Sequence, residues 1–134
     1  MKIALITDQH LDGRKGSLAF WNYFQKFYDQ IFFPTLEKEG VSTIIDLGDT
    51  FDNRKSMDFN TFNRVNENYF KRLKDYKVHM ILGNHCTYYK NTNKINSPEL
   101  LLEQYKNINI YASPEEITLG SKKFLMMPWI NKEN

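Results

Sequence analysis

The chain begins with a short apolar run, residues 2–7, in which apolar positions do not alternate with polar ones. A run of this kind predicts a β-strand that is buried on both faces. Two runs of the same character follow at residues 41–47 and 78–82. We therefore predict three buried strands, each of which gives way abruptly to polar residues.

Between these runs, apolar residues recur at spacings of three and four, which is typical of amphipathic helices that pack on a sheet. Pro34 is expected to break or kink the first helix, and a second helical piece at residues 35–39 is expected to end at Gly40. The first helix follows Ser17 and carries a mostly aromatic stripe: Phe20, Trp21, Phe24, Phe27, Tyr28, Ile31 and Phe32. A second stripe precedes the third strand: Phe62, Val65, Tyr69, Leu73 and Tyr76.

The resulting order, β-α-β-α-β, predicts an α/β fold with a parallel sheet and right-handed crossovers. The rest of the chain is less regular, with a predicted helix at residues 98–105 and short strands near 108–111, 116–119 and 123–127. The sequence contains no internal repeat and no flexible linker. We therefore expect residues 1–134 to belong to one domain.

The composition is that of a folded and nearly neutral protein. There are 18 Lys+Arg against 16 Asp+Glu, and 10 Phe with 8 Tyr supply large apolar groups for a core. Such a charge balance argues against a polybasic nucleic-acid binder. No apolar run is long enough to span a membrane, and the first is too short for a signal peptide. A single cysteine, Cys86, cannot form an internal disulfide, so we expect a cytoplasmic protein.

The candidate chemistry lies directly after the three predicted strands, where ligands bind in parallel α/β sheets. The polar clusters are Asp8, Gln9 and His10; Gly48, Asp49 and Asp52; and Gly83, Asn84 and His85. Carboxylate oxygens and imidazole nitrogens brought to one edge form a donor set suited to Mn²⁺, Fe²⁺ or Zn²⁺. Two carboxylates held this close would repel each other without a cation between them.

Each cluster also has a simpler interpretation. Asp8 and Asp49 could cap the segments that follow, the glycines could serve turns, Asn84 could stabilise a turn, and either histidine could lie on the surface. These simpler interpretations would have to apply to each of the three clusters independently, so the metal-site hypothesis is preferred. The remaining histidine, His79, alternates with apolar residues inside a predicted strand and is interpreted as structural.

Taken together, Asp8-x-His10, Gly48-Asp49-x-x-Asp52 and Gly83-Asn84-His85 resemble the first three motifs of the calcineurin-like metallophosphoesterases. Their order and spacing are similar to those of the SbcD type of DNA repair exonuclease subunit, including its phage relatives. The segments MKIALITDQHLDGR, IIDLGDTFDNRKS and MMPWI extend the resemblance over nearly the whole chain. It implies a β-sandwich flanked by helices, with the β-α-β-α-β part of this chain as its N-terminal portion.

The resemblance also implies roles for the motif residues. Asp8 and His10 would bind one divalent metal, Asp49 would bridge two, and Asn84 would bind the second, with Mn²⁺ as the expected ion. Two such ions clamp a phosphodiester and acidify an attacking water. His85 would neutralise developing charge or protonate the leaving oxygen, and Asp52 would support the catalytic site.

Two departures from the family pattern weaken this expectation. The motif normally continues with Asp where this chain has Cys86, which could be a small buried residue, a metal ligand or a reactive thiol. Three further histidine ligands of the family would lie beyond Asn134, and the chain has 3 histidines in all. On this pattern we expect the N-terminal part of a nuclease domain, incomplete at its C-terminus and weakly active or inactive alone.

Basic and aromatic residues close to the motifs are candidate DNA contacts. Those that could hold phosphates or stack on bases are Arg14, Lys15, Arg54, Lys55 and Tyr88. Solvated loop charge, and packing of one tyrosine of the Tyr88-Tyr89 pair, are the alternatives. The resemblance implies DNA, an SbcC-type ATPase subunit and a second copy of the chain as partners.

Three functions remain open at this point. The first is a metal-dependent DNA phosphodiesterase, an exonuclease or endonuclease of repair or recombination. The second is another calcineurin-like phosphoesterase, acting on a phosphoprotein or a nucleotide. The third is a catalytically incomplete fragment or binding module.

Overall fold

A four-stranded parallel sheet forms the centre of the computed structural model, which describes residues 1–134. Its strands lie in the order β1-β2-β3-β4, and their bounds are β1 Ile3–Ile6, β2 Thr43–Asp46, β3 Lys77–Ile81 and β4 Ile108–Tyr111. Ile6 pairs with Asp46, and Asp46 pairs with Met80, so the first three strands end level with one another. The α/β fold with a parallel sheet is confirmed, and the polar clusters meet at one edge.

Helices cover one face of this sheet. They are α1 Leu18–Phe27, α2 Phe33–Glu39, α3 Phe59–Asn68 and α4 Ser97–Leu101. A 3₁₀ turn, Phe70–Leu73, follows α3, and a left-handed residue, Gly40, ends α2 as predicted. None of these helices is both long and apolar enough to cross a membrane.

The aromatic stripe of α1 is only partly buried, and the helix continues into a π-helical turn at Tyr28–Phe32. Such a turn adds a residue to the helical repeat and so rotates the stripe. Phe27 and Ile31 are exposed, whereas Phe32 and Phe33 are both buried. Pro34 lies in the first turn of α2, where a missing N–H is tolerated, so the helical conformation continues through Pro34 rather than breaking there.

One other local prediction needs correction. The helix predicted at 98–105 ends at Leu101, because Leu102 leaves the helical region and closes the last turn on the Pro98 carbonyl. Residues 13–16 form a tight left-handed turn, since Arg14 and Lys15 have φ angles of 52° and 58°. This turn places two basic residues directly after the first polar cluster.

The main core lies between the helices and the sheet. It contains 16 buried residues, and the large side chains at its centre come from α1, α3, the turns that follow them, the strands and one loop: Trp21, Tyr28, Phe51, Val65, Tyr69, Phe70, Leu73, Val78 and Met80. Burial of this many large groups is the main stabilising contribution to the fold. Phe51 is notable because it belongs to the loop that carries Asp49 and Asp52.

An antiparallel hairpin, β5 Glu115–Leu119 and β6 Lys122–Met126, covers part of the opposite sheet face. Met126 packs there with Ile45 and Tyr111, so two β-layers meet as the resemblance implies. His79 lies on the same face, with Nδ1 2.7 Å from the Tyr111 hydroxyl oxygen, and burial lowers the pKa of its imidazole. The structural interpretation of His79 is therefore confirmed.

Candidate metal centre

Backbone hydrogen bonds join the loop after β1 to the loop after β2. The N–H of Asp8 donates to the carbonyl of Gly48 at 2.9 Å, and the N–H of His10 donates to the carbonyl of Asp49 at 3.0 Å. The loop after β3 joins them through the N–H of His85, which donates to Oδ1 of Asp49 at 2.9 Å. The three predicted clusters are thus held together by main-chain contacts as well as by the level ends of the strands.

The backbone at this edge is strained. Asp8, His10 and Asp49 have φ angles of 52°, 45° and 52°, in the left-handed region that L-residues seldom occupy. Strain of this kind persists only where the surroundings enforce it, and it concentrates at functional sites. Gly48, with φ 102°, is needed for close approach as well as for conformation, because a Cβ there would lie 2.7 Å from the Gly83 nitrogen.

Two groups of side chains that could ligate a metal ion meet in this region, and His10 belongs to both. One group is Asp8, His10 and Asp49, and the other is His10, Asp52 and His85; in each, the donor atoms lie within 4.8 Å of one another. Nδ1 of His10 is 3.1 Å from Oδ1 of Asp52, and Nε2 is 3.7 Å from Oδ1 of Asp8. The rings of His10 and His85 are perpendicular, with centroids 5.2 Å apart.

The donor set fits a divalent transition metal. Although Nδ1 of His10 is close to the Asp52 carboxylate, it is buried and makes no well-aligned hydrogen bond. A buried polar atom without a partner is uncommon in a folded protein. Imidazole nitrogens facing carboxylate oxygens suit Mn²⁺, Fe²⁺ or Zn²⁺. Asp8, His10, Asp49, Asp52 and His85 are therefore the side chains that could hold such ions.

His85 is oriented by the loop after β2. Its Nδ1 lies 2.9 Å from the backbone carbonyl of Asp52, so an Nδ1–H donates there and leaves Nε2 free as the second ring nitrogen. Asn84 is half-buried and begins a 3₁₀ turn, Asn84–Cys86, that also contains His85. The backbone carbonyl of Asn84 accepts a hydrogen bond from the Thr87 hydroxyl at 3.4 Å.

Cys86 is fully buried behind this turn. Its Sγ accepts a hydrogen bond from the Gly83 N–H at 3.4 Å, and burial raises the pKa of the thiol. The thiol belongs to neither donor group. The interpretation of Cys86 as a small buried residue is therefore confirmed, and the Asp52 carbonyl supplies the hydrogen-bond partner of the neighbouring imidazole.

Two carboxylates that matter to the site were missed by sequence reasoning. The buried Asp12 carboxylate accepts from the N–H groups of Asp52 and Asn53, and so fixes the loop that carries Asp52. The sequence feature that could have indicated Asp12 is its position, two residues after His10 and directly before Gly13. The other carboxylate is that of Asp46, the last residue of β2. The sequence feature that could have indicated it is a charged residue inside an apolar run.

Asp46 lies in a buried hydrogen-bond network beneath the site. Its Oδ1 accepts from the Gly48 N–H at 3.0 Å, and its Oδ2 accepts from the Gln9 amide at 2.9 Å and the Thr50 hydroxyl at 3.0 Å. The Tyr28 hydroxyl donates in turn to Gln9 Oε1 at 2.7 Å. Burial outweighs these bonds and raises the pKa of Asp46 to about 7.

This shift predicts a pH-dependent difference in stability between the wild type and Asp46→Asn. A raised pKa means that the folded state holds the proton more tightly, so its stabilising contribution is complete below about pH 4 and lost by about pH 7. The free energy of unfolding of Asp46→Asn, relative to wild type, should therefore rise across that window and level off above it. Urea unfolding in EDTA at several pH values measures this difference.

The matched control is Asp75→Asn, which changes an exposed carboxylate in the turn before β3. It should show no trend of comparable size. A difference between Asp46→Asn and wild type that stays constant from pH 4 to pH 8 would contradict the assignment.

The basic candidates lie in different surroundings. Lys15, Arg54 and Lys55 line a polar cavity of about 730 Å³ together with Asp52 and His85. Arg54 is fixed there, because its Nη1 donates to the Thr87 carbonyl at 3.1 Å.

Arg14 and Tyr88 lie outside this polar cavity. The Arg14 guanidinium lies over the Phe20 ring at 5.5 Å, and the half-buried Tyr88 ring packs against Lys55 Nζ at 5.2 Å. Tyr89 is the exposed member of the tyrosine pair, in line with the packing alternative.

Comparison with known proteins agrees with the motifs and the fold. The family described as calcineurin-like phosphoesterase matches residues 1–128. Exonuclease subunit 1 of Enterobacteria phage T4 is 33% identical over 100 residues, which cover 73% of this chain and 29% of that protein. The chain therefore matches less than a third of this relative's length. The motif residues lie at the carboxyl edge of the parallel sheet. Together with this placement, the family match over residues 1–128 shows that the chain belongs to the calcineurin-like phosphoesterase family.

Proposed function

We propose that the chain is part of a metal-dependent phosphodiesterase that cleaves DNA, an SbcD-type nuclease of repair or recombination. The observation that carries the proposal is the pair of donor groups that share His10 at the carboxyl edge of the sheet. The phage relative is named as an exonuclease, which supports DNA as the substrate. We further propose that residues 1–134 are the N-terminal part of the nuclease domain.

Two divalent ions, with Mn²⁺ as the proposed species, would be held by Asp8, His10, Asp49 and Asn84, with Asp49 bridging them. When bound, such ions stabilise negative charge on a phosphate and lower the pKa of water. Oδ1 of Asp52 lies 3.1 Å from Nδ1 of His10. This distance supports a direct part for the Asp52 carboxylate in holding an ion, whereas the resemblance implies only a supporting role.

The chain's own residues would bind the substrate and handle protons. Hydrogen bonding of Nδ1 to the Asp52 carbonyl fixes the His85 ring and leaves Nε2 to protonate a leaving oxygen or neutralise its charge. Lys15, Arg54 and Lys55 line the adjacent cavity and would hold the flanking phosphates. Because Arg54 is already bound to Thr87, it would offer its remaining N–H groups at little further entropic cost.

A second candidate is a module that depends on ligands outside this chain. Each donor group contains three side chains, fewer than the six oxygen or nitrogen ligands that Mn²⁺ prefers. A complementing polypeptide or solvent would have to supply the remaining ligands.

Among partners, we propose DNA, an SbcC-type ATPase subunit and a second copy of this chain, all in the cytoplasm.

The test is Mn²⁺-dependent cleavage of single- and double-stranded DNA by the purified chain, with a small phosphomonoester assayed in parallel. Cleavage of DNA that requires the ion and exceeds phosphomonoester hydrolysis supports the nuclease. Preference for the phosphomonoester would favour a different calcineurin-like phosphoesterase. Absence of both turnover and bound metal, measured by elemental analysis, would favour the incomplete module.

A further inference from the structure

An apolar groove opens next to the polar cavity and shares one wall with it. The groove has a volume of about 380 Å³, and residues 53–57 line both spaces. Its apolar lining comes from α3, α4 and the loops around them: Met57, Phe59, Phe62, Tyr88, Leu100 and Leu101. None of the motif residues lies in this groove, so the site already described does not account for it.

Two of the apolar side chains that line the groove are largely exposed. Phe59 is 92% exposed at the first position of α3, and Leu100 is 70% exposed on α4. Exposed apolar groups that cluster in a concave surface mark binding sites more often than isolated ones do. The groove therefore offers a concave apolar surface that a ligand could cover.

Local hydrogen bonds fix the walls of the groove. The Asp58 carboxylate caps α3 by accepting from the Asn60 N–H at 2.7 Å, and Asn96 caps α4 by accepting from the Glu99 N–H at 2.8 Å. The Tyr88 N–H donates to the Ile95 carbonyl at 2.9 Å, which joins two of the residues that line the groove. A preformed groove binds a ligand at a lower entropic cost than a groove that has to be ordered.

The charge at the shared wall indicates the kind of occupant. Arg54 and Lys55 line both the groove and the polar cavity, and Lys55 Nζ lies 5.2 Å from the centre of the Tyr88 ring. An occupant that reaches from one space into the other would therefore join an anionic group to an apolar one. Cations beside aromatic rings are the combination by which proteins bind single-stranded nucleic acids.

We propose that this groove, bounded by Phe59, Tyr88 and Leu100, binds an unpaired nucleobase of a DNA strand whose phosphates lie in the polar cavity. The inference rests on the proposed function, because it takes DNA as the ligand of the neighbouring cavity. It adds a base-binding subsite to the phosphodiesterase and implies a preference for single-stranded or frayed ends. Recognition would be by stacking, which every base permits, and so would be independent of sequence.

The test measures binding in EDTA, where DNA is not cleaved. The probes are a thymidine oligonucleotide, the same length of abasic backbone, and an oligonucleotide that contains 2-aminopurine, whose fluorescence reports stacking. Phe59→Ala and Leu100→Ala are compared with Tyr23→Ala, which removes a 77% exposed aromatic ring on α1 outside both cavities. Thermal unfolding verifies that each variant is folded.

We expect Phe59→Ala to lose about tenfold in affinity for the thymidine oligonucleotide, since one base-stacking contact is of that size. The same variant should bind the abasic backbone as the wild type does, and the change in 2-aminopurine fluorescence should shrink. Tyr23→Ala should bind all three probes normally. Base-dependent losses confined to the groove variants would support the subsite.

Three outcomes would overturn it: unchanged affinity in both groove variants, equal losses for the thymidine and abasic probes, or no binding of either probe by the wild type. Unchanged DNA affinity would leave a protein partner as the occupant of the groove. The cleavage assay separates this failure from that of the proposed function. Mn²⁺-dependent cleavage without a base-dependent loss removes only the subsite, whereas a base-dependent loss without cleavage removes only the nuclease.

Discussion

Asp49→Asn is expected to lower kcat/KM for DNA cleavage by roughly a thousandfold. This loss corresponds to about 4 kcal/mol of transition-state stabilisation by the divalent ion that Asp49 would bind. Asp49 belongs to the donor group with Asp8 and His10, and its Oδ1 also accepts the His85 N–H at 2.9 Å. Asparagine keeps an oxygen for that hydrogen bond and tolerates the left-handed backbone at φ 52°. The substitution therefore removes charge with little change in shape.

Cleavage rates over a series of Mn²⁺ concentrations, together with metal binding by calorimetry, measure this effect. Binding of Mn²⁺ should weaken along with turnover, whereas the midpoint of thermal unfolding in EDTA should change little. Asp75→Asn is the matched control on the surface. If Asp49→Asn cleaves DNA within tenfold of the wild type, Asp49 is not a ligand of the catalytic ion.

Phe51→Ala should destabilise the protein by about 3–5 kcal/mol, the usual cost of deleting a buried phenylalanine side chain. The Phe51 side chain has 0% exposure, and its ring packs on the Phe70 ring with centroids 5.7 Å apart. Its removal leaves a cavity in the main core directly beneath the loop between Asp49 and Asp52. We expect weaker metal binding as well, because the two carboxylates lose the anchor that holds them in position.

Phe59→Ala is the control for this prediction, because it deletes the same side chain where it is 92% exposed. Exposed substitutions of this kind usually change the free energy of unfolding by less than about 0.5 kcal/mol. Urea unfolding of both variants gives the comparison. Equal losses of stability in the two variants would contradict the placement of Phe51 in the core.

The strands were predictable because parallel strands packed between two layers require continuous apolar runs. The prediction that all three strands are buried on both faces is wrong for β1, because β1 lies at the edge of the sheet and Leu5 is 65% exposed. Residues 2–7, 41–47 and 78–82 each contain the strand that forms, apart from Lys77 at the start of β3. The helix boundaries were less predictable. The π-helical turn before Pro34 had no signal in the spacing of the apolar residues, and the end of α4 depended on a turn closed on the Pro98 carbonyl.

The location of the site was also predictable. Polar residues that directly follow parallel strands meet at one edge, so Asp8, His10, Asp49 and His85 could be grouped without coordinates. Asp12 and Asp46 could not, because each acts through hydrogen bonds to loops distant in sequence. A buried carboxylate that binds backbone N–H groups has no periodicity by which a sequence would reveal it.

By itself, then, the sequence determined the parallel sheet and the donors at its carboxyl edge, since both follow from local hydrophobic pattern and strand order. Tertiary structure alone decided which donors approach each other, with His10 shared between two groups. It also decided that Arg54 and Lys55 stand between a polar cavity and an apolar groove. Those features depend on distances between loops separated by tens of residues, and such distances are fixed only when the core packs.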